Sequence, residues 1–90
     1  NLTDRGEGVH YDIEFKPRAI KDLKVLAPRD RGRVLAKVEA LQTGLVGDVK
    51  RLTNFTPEYR LRVGSYRVLF EIEESRLIIY RILPRGEAYR

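Results

Sequence analysis

The sequence predicts a single α+β domain, in which a pair of helices packs on one face of a largely antiparallel sheet. Three observations predict this fold class. A segment of alternating polar and apolar residues comes first, two segments with helical spacing follow, and four strand-like segments separated by turns complete the chain. The expected order of elements is therefore β-α-α-β-β-β-β. A chain of 90 residues is long enough for one domain with a modest core.

The folded domain is expected to span residues 10–90. Residues 1–9 (NLTDRGEGV) are polar, contain glycine and show no periodicity, which is typical of a mobile N-terminal tail or a cloning remnant. No internal repeat, low-complexity segment or second domain is visible in the remaining sequence.

The first predicted elements are a strand and a helix. Alternation over residues 10–16 predicts the strand, whose inward side chains are Tyr11, Ile13 and Phe15. Pro17 begins the helix, because the first helical residue needs no N–H partner. The helix is expected to end at about Ala27. Its buried residues are expected to be Ile20, Leu23 and Leu26 or Ala27.

Pro28 breaks that helix and starts a second one, which is predicted to run from about Arg29 to Thr43. Its apolar stripe consists of Val34, Leu35, Val38 and Leu41. Gly44 stands where a C-terminal cap is expected. We interpret the Lys and Arg residues of both helices as a solvated face.

The remaining strands are separated by turns. A short second strand is predicted over Val49–Leu52, and a turn over residues 53–58. A hairpin supplies the third and fourth strands, and residues 73–75 turn the chain into a fifth strand over Arg76–Leu83. The fifth strand is apolar on both faces, which indicates a strand that is covered on both sides.

The hairpin over residues 59–72 is the most informative segment. Gly64-Ser65 suits a two-residue type II′ turn, because glycine tolerates the positive φ of the first position. The opposed pairs are then Val63 with Tyr66, Arg62 with Arg67, Leu61 with Val68 and Arg60 with Leu69. Alternation places seven apolar or aromatic residues on one side, namely Tyr59, Leu61, Val63, Tyr66, Val68, Phe70 and Ile72. Arg60, Arg62 and Arg67 fall on the other side. Because Arg62 directly opposes Arg67, an anion is expected to lie across that side.

The composition favours an anionic partner and excludes several kinds of site. There are 18 Lys and Arg residues against 13 Asp and Glu, a net charge of +5, which favours nucleic acid before an anionic membrane or an acidic protein. The absence of Cys excludes disulfides and thiolate metal sites, and the single His10 excludes a histidine metal site or a Ser-His-Asp triad. No apolar run is as long as a membrane span, so a cytoplasmic protein is expected.

The end of the chain is expected to join the hairpin. Since the fourth and fifth strands run antiparallel, Arg85 and Tyr89 arrive beside Gly64-Ser65, within reach of the hairpin arginines. Arginine binds phosphate through a planar fork of donors and keeps its charge, so it cannot act as a base. Tyr89 can exchange a proton, because neighbouring positive charge stabilises a phenolate. From the residues alone, anion binding and a solvated basic face both remain open.

Three segments resemble the RelE/ParE superfamily of bacterial toxins. They are Tyr11–Ala19 (YDIEFKPRA), Tyr59–Ile72 (YRLRVGSYRVLFEI) and Arg85–Arg90 (RGEAYR). The resemblance implies the microbial RNase-like α+β fold. It also implies the toxin half of a type II toxin–antitoxin pair, which is held inactive by a cognate antitoxin and reaches operator DNA only through that antitoxin.

The resemblance to RelE-like members implies a site and a reaction. Arg67, Arg85 and Tyr89 would be catalytic, while Arg60 and Arg62 would position RNA. The implied reaction is cofactor-free and metal-free cleavage of mRNA in the ribosomal decoding site, by attack of a ribose 2′-OH on the adjacent phosphate.

This chain departs from the RelE-like pattern in two places, and two other functions stay open. It has Arg60 and Arg62 where such enzymes often carry Lys, and Pro84-Arg85 where many have His-Arg. A ParE-like toxin that inhibits DNA gyrase, and an inactive member that only binds an antitoxin, are the alternatives.

Overall fold

The computed structural model describes residues 10–86 and contains the seven predicted elements in the predicted order. They are β1 (Asp12–Phe15), α1 (Pro17–Lys24), α2 (Pro28–Ala40), β2 (Val49–Arg51), β3 (Tyr59–Val63), β4 (Tyr66–Glu73) and β5 (Arg76–Pro84). A 3₁₀ turn, Leu41–Thr43, extends α2. The predicted N-terminal tail (residues 1–9) and the predicted site residue Tyr89 lie outside the described residues.

The strands form one five-stranded sheet in the order β1-β5-β4-β3-β2. Only β1 and β5 pair in parallel, and the three other pairings are antiparallel, as the expected largely antiparallel sheet requires. The chain leaves β1 at one edge, crosses one face of the sheet through α1 and α2, and enters β2 at the opposite edge. This path leaves the β3–β4 hairpin near the middle of the sheet.

Both helices begin at the predicted prolines, but α1 ends earlier than expected. Pro17 and Pro28 occupy the first helical positions, whereas α1 stops at Lys24 instead of Ala27. Ala27 is extended (φ −59°, ψ 149°), as residues that precede proline usually are. The Arg31 guanidinium donates from Nε to the Leu23 carbonyl (3.1 Å) and from Nη2 to the Leu26 carbonyl (3.0 Å). Arg31 therefore satisfies carbonyl groups at the end of α1.

The prediction that Ile20 is buried is wrong, because α1 is rotated relative to the expected face. Ala19 is fully buried and Ile20 is 43% exposed. Asp22, on the Ala19 side of the helix, accepts hydrogen bonds from the Ile82 N–H (2.9 Å) and from Arg81 Nε (2.8 Å). These bonds to β5 fix the rotation of α1. Of the other residues expected to be buried, Leu23 is half-buried, Leu26 is buried and Ala27 is exposed.

The core lies between the helices and one face of the sheet. Its largest side chains without appreciable exposure are Phe70, Leu41, Leu61, Leu77, Ile79, Val34, Val38 and Val68. From the predicted stripe of α2, Leu35 alone is only half-buried. Tyr59 and Phe70 are paired across β3 and β4, and their rings stack with centroids 5.3 Å apart. Neither described helix has the length and apolar character to cross a membrane.

The register of the β3–β4 hairpin is the predicted one. Val63 pairs with Tyr66, Arg62 with Arg67, Leu61 with Val68 and Arg60 with Leu69. Gly64 has φ +57°, as the first position of a type II′ turn requires. The guanidinium of Arg33, on α2, lies over this glycine, since a Cβ on Gly64 would stand 3.0 Å from Arg33 Nη2.

We expect Gly64→Ala to lower the free energy of unfolding by about 1–2 kcal/mol, because an L-residue is strained at this positive φ. Gly32→Ala is the matched control. Gly32 lies inside α2, and a Cβ added to it would have no neighbouring atom within 4 Å, so alanine there should stabilise by about 0.5–1 kcal/mol. Urea unfolding of the two variants measures both changes, and effects of the same sign would contradict this account of the turn.

Candidate functional site

The predicted basic residues lie on the sheet face opposite the helices. Because Leu61, Val63 and Val68 point into the core, alternation places Arg60, Arg62 and Arg67 on the other face. Lys50, on β2, is the register partner of Arg60 and belongs to the same face. Three adjacent strands therefore supply four cationic side chains near the hairpin turn.

The two ends of this face differ in charge. At the end far from Gly64-Ser65, Arg76 forms ion pairs with Glu14 (2.8 Å) and Glu73 (3.1 Å). Positive charge there is neutralised by neighbouring carboxylates. The hairpin end carries the concentration of arginine, so an anion bound to this face is attracted to that end.

Two of the arginines are buried, which is rare for this residue type. Arg60 is 5% exposed and Arg67 is 7% exposed. Arg67 Nη1 donates to the carbonyl oxygens of Gly64 (3.2 Å) and Tyr66 (3.0 Å), so its guanidinium is fixed against the turn. Arg60 Nη1 donates to Asp48 Oδ1 (3.2 Å). Among the described residues, no acceptor lies within hydrogen-bond distance of Arg60 Nε, which is also shielded from solvent.

Asp48 is a site residue that the sequence did not reveal. Its carboxylate bridges two guanidiniums, with Oδ1 3.2 Å from Arg60 Nη1 and Oδ2 3.5 Å from Arg62 Nη1. Its carbonyl accepts a hydrogen bond from the Arg62 N–H (3.0 Å). The anion expected beside the hairpin arginines is thus supplied in part by the chain itself. Asp48 stands in a connecting loop, and no local signal marks it as their partner.

The segment after β5 reaches the hairpin turn, as the topology predicted. The backbone N–H of Arg85 donates to the Ser65 carbonyl (2.7 Å), and the Arg85 residue is exposed. Arg62 and Arg67 are direct register partners next to the same turn. The structure therefore brings the predicted residues Arg62, Arg67 and Arg85 to one end of the sheet, with Arg60 two residues further along β3.

Arg33 is a second residue that sequence reasoning missed. It belongs to the helix face that was interpreted as solvated, yet its guanidinium lies against Gly64. A cationic group from α2 therefore approaches the turn that also receives Arg67 and Arg85. The i, i+4 spacing of α2 does not indicate this contact, because it depends on how the helix crosses the sheet.

Tyr66 is held as a neutral phenol. Burial raises the pKa of the Tyr66 phenol, and the negative charge of Asp30 and a hydrogen bond to it raise that pKa further. The hydroxyl donates to Asp30 Oδ2 at 3.3 Å. Tyr66 packs against the core, as expected, and is poorly suited to accept a proton. Within residues 10–86, no three His, Cys, Asp or Glu side chains gather in a way that could hold a metal ion.

Removing the Asp48 carboxylate should destabilise the fold. We expect Asp48→Ala to lower the free energy of unfolding by about 1–3 kcal/mol, because Arg60 stays buried without its counter-charge. Glu58→Ala is the matched control, since it removes a carboxylate 3.6 Å from the exposed Arg51, and should change stability by less than about 0.5 kcal/mol. Urea titration of both variants tests this, and equally small losses would contradict the role given to Asp48.

The Tyr66 phenol should contribute stability that disappears at alkaline pH. The pKa of Tyr66 is raised in the folded chain above its ordinary value of 10.0, so the contribution is complete below pH 10 and is lost as pH rises through the folded-state pKa. Unfolding free energies of the wild type and Tyr66→Phe, measured between pH 8 and 11, should show a steeper alkaline loss in the wild type. If the unfolding free energies of the two proteins depended on pH in the same way, the stabilising role of the Tyr66 phenol would be contradicted.

Comparison with known proteins identifies the family. Residues 13–89 match the family model described as ParE toxin of type II toxin-antitoxin system, parDE. The chain is similar to RelE1 of Methanocaldococcus jannaschii, with 34% identity over 86 residues that cover 89% of this chain and 96% of that protein.

Two solved complexes contain a similar fold. One is the RelB–RelE antitoxin–toxin complex of Methanococcus jannaschii, with a TM-score of 0.68, 29% identity, and coverage of 79% of this chain and 88% of that one. The other is the archaeal RelE–RelB complex of Pyrococcus horikoshii OT3, with a TM-score of 0.74, 26% identity, and coverage of 89% and 100%. The microbial RNase-like architecture expected from the sequence is confirmed. The chain belongs to the RelE/ParE superfamily and is a toxin of a type II toxin–antitoxin system.

Proposed function

We propose that this toxin is a RelE-like endoribonuclease that cleaves mRNA in the ribosomal decoding site and so inhibits translation and growth. The observation that carries the proposal is the meeting of Arg62, Arg67 and Arg85 at the Gly64-Ser65 turn. Arginine residues from three segments thus lie around one turn, and their side chains carry the forked donors that phosphate oxygens accept. The proposal needs no cofactor.

The proposed reaction is an intramolecular displacement at phosphorus. The ribose 2′-oxygen forms a bond to the adjacent phosphorus, the bond to the 5′-oxygen breaks, and a 2′,3′-cyclic phosphate remains. Tyr89, ionised to the phenolate by the neighbouring positive charge, accepts the 2′-OH proton, and solvent protonates the leaving 5′-oxygen. Arg67 stabilises the charge on the phosphate, and Arg85 donates a hydrogen bond to the leaving oxygen. None of the arginines exchanges a proton, because guanidinium stays charged.

Arg60 and Arg62 have different proposed tasks, since their surroundings differ. Arg62 is half exposed, so its guanidinium faces solvent as well as Asp48 and can hold RNA directly. Arg60 is buried, so it adds positive charge beneath the face without offering much contact surface. Asp48 holds both guanidiniums in place before RNA arrives, which reduces the ordering that binding requires.

A cognate antitoxin protein is the proposed protein partner. In the two solved structures described above, the similar RelE chain is bound to RelB, which supports an antitoxin for this chain as well. Contact with operator DNA is proposed to occur only through that antitoxin. An mRNA target at the ribosome implies action in the cytoplasm without membrane association.

A ParE-like action is the second candidate, because the matching family model is that of the ParE toxin. In this case the chain would inhibit DNA gyrase by binding it and would not act as a nuclease. The two candidates differ in their products in the cell. Truncated mRNA supports the endoribonuclease, whereas intact mRNA together with induced DNA damage supports gyrase inhibition.

Mapping mRNA 5′ ends after toxin induction, in cells without the antitoxin, tests the proposal. Arg85→Ala and Tyr89→Phe should each reduce cleavage about 100-fold or more, because each removes a group that acts in the transition state. Arg29→Ala, on the exposed start of α2, is a matched control that should leave cleavage unchanged. Arg67→Ala should also abolish cleavage, with antitoxin co-purification as the check that this buried site still folds. Undiminished cleavage in Arg85→Ala and Tyr89→Phe would refute the catalytic assignment.

A further inference from the structure

We propose that a cavity beside the arginine cluster (Arg60, Arg62 and Arg67) binds one nucleobase of the RNA, an inference that rests on the proposed function. The cavity has a volume of about 420 Å³ and opens between β2, β3 and the loop that joins them. It is lined by Lys50, Leu52, Thr53, Phe55, Arg60 and Arg62. Its size lies in the range of small-molecule sites, which suits a single nucleotide.

The lining combines the two chemistries that single-stranded RNA requires. Leu52 and Phe55 are its apolar lining residues, and both are half-buried, so part of the surface of each residue is accessible. A base stacks on an aromatic ring whatever its identity, because every base presents a flat π surface. Thr53 also lines the cavity, and a threonine hydroxyl can both donate and accept a hydrogen bond at the edge of a base.

The charge of the cavity favours an anionic ligand. Lys50, Arg60 and Arg62 contribute three positive charges, and the neighbouring carboxylate of Asp48 offsets only one of them. Lys50 and Arg62 are exposed, so they can hold a phosphate at the mouth. Arg60 is 5% exposed, with an N–H that meets no acceptor among the described residues, a costly arrangement that stability alone does not explain.

The position of the cavity connects it to the proposed cleavage site. Arg62 lines the cavity and is also the register partner of Arg67, which lies next to Arg85 at the turn. A strand of RNA that places one base against Phe55 therefore continues directly onto the Arg62–Arg67 pair. In the endoribonuclease proposed above, the pocket would hold a nucleotide next to the scissile phosphate and contribute to the choice of cleavage sequence.

Binding of an uncleavable RNA tests this inference without depending on catalysis. The probe is a fluorescent 2′-O-methyl hexanucleotide, which lacks the attacking hydroxyl, titrated with the full chain. Phe55→Leu keeps an apolar side chain but removes the ring, and it should weaken binding about fivefold or more. Lys50→Gln should weaken binding and reduce its dependence on salt, whereas the matched control Lys37→Gln, on the exposed side of α2, should do neither.

A second set of probes identifies the base. Hexanucleotides with one abasic position should bind the wild type more weakly at a single position, and that difference should disappear in Phe55→Leu. Wild-type affinity in Phe55→Leu and in Lys50→Gln would overturn the inference. So would loss of antitoxin binding in these variants with unchanged RNA affinity, which would assign the cavity to the antitoxin.

The same variants separate this inference from the proposed function. If the wild type cleaves ribosomal mRNA and both variants cleave at the same codons with the same efficiency, the pocket is wrong while the endoribonuclease stands. If the wild type cleaves no mRNA but the abasic effect is present and depends on Phe55, the proposed reaction is wrong while the binding pocket stands.

Discussion

The register of the β3–β4 hairpin is the constraint on which the rest of the structure depends. A shift of β4 by one residue relative to β3 would turn over the faces of β4, moving Val68 out of the core and Arg67 into it. The turn at Gly64-Ser65 fixes this register. The same turn accepts hydrogen bonds from the Arg67 guanidinium and from the Arg85 backbone. One local feature therefore sets both the packing of the core and the location of the site.

The arginine cluster concentrates positive charge on one face of the sheet, and the folded chain has to tolerate this charge without a bound anion. Arg62 and Arg67 face each other, and such pairs repel in the absence of an anion. Asp48 reduces this repulsion by bridging Arg62 and Arg60 from a neighbouring loop. The one Asp48 carboxylate offsets one of the two charges of Arg60 and Arg62. Asp48 therefore lowers the repulsion between the arginines enough for the sheet to form, while the remaining positive charge still attracts phosphate.

The sequence predicted those parts of the molecule that depend on local signals. Alternation, the two helix-starting prolines and the glycine turn were sufficient for the order of elements, the hairpin register and the approach of Arg85 to the turn. Three features depend on long-range geometry, and the sequence did not predict them. The burial of Ala19 in place of Ile20 follows from the bonds of Asp22 to β5. The contacts of Asp48 and of Arg33 follow from the path of a loop and the crossing of a helix, neither of which leaves a periodic pattern.

The hydrogen bond from the Ile82 N–H to Asp22 affects whether another strand can pair with the edge of β5. Within residues 10–86, β1 pairs with β5 as far as Phe15 and Ile79, and no described strand pairs with that side of β5 beyond Ile79. The backbone N–H and C=O groups of an exposed edge strand can form hydrogen bonds with a strand of another molecule. The Asp22 carboxylate accepts the hydrogen bond of the Ile82 N–H, and the Arg81 guanidinium covers the same carboxylate. Helix α1 therefore occupies the backbone donor of Ile82, which a strand from another molecule would need for pairing at this position.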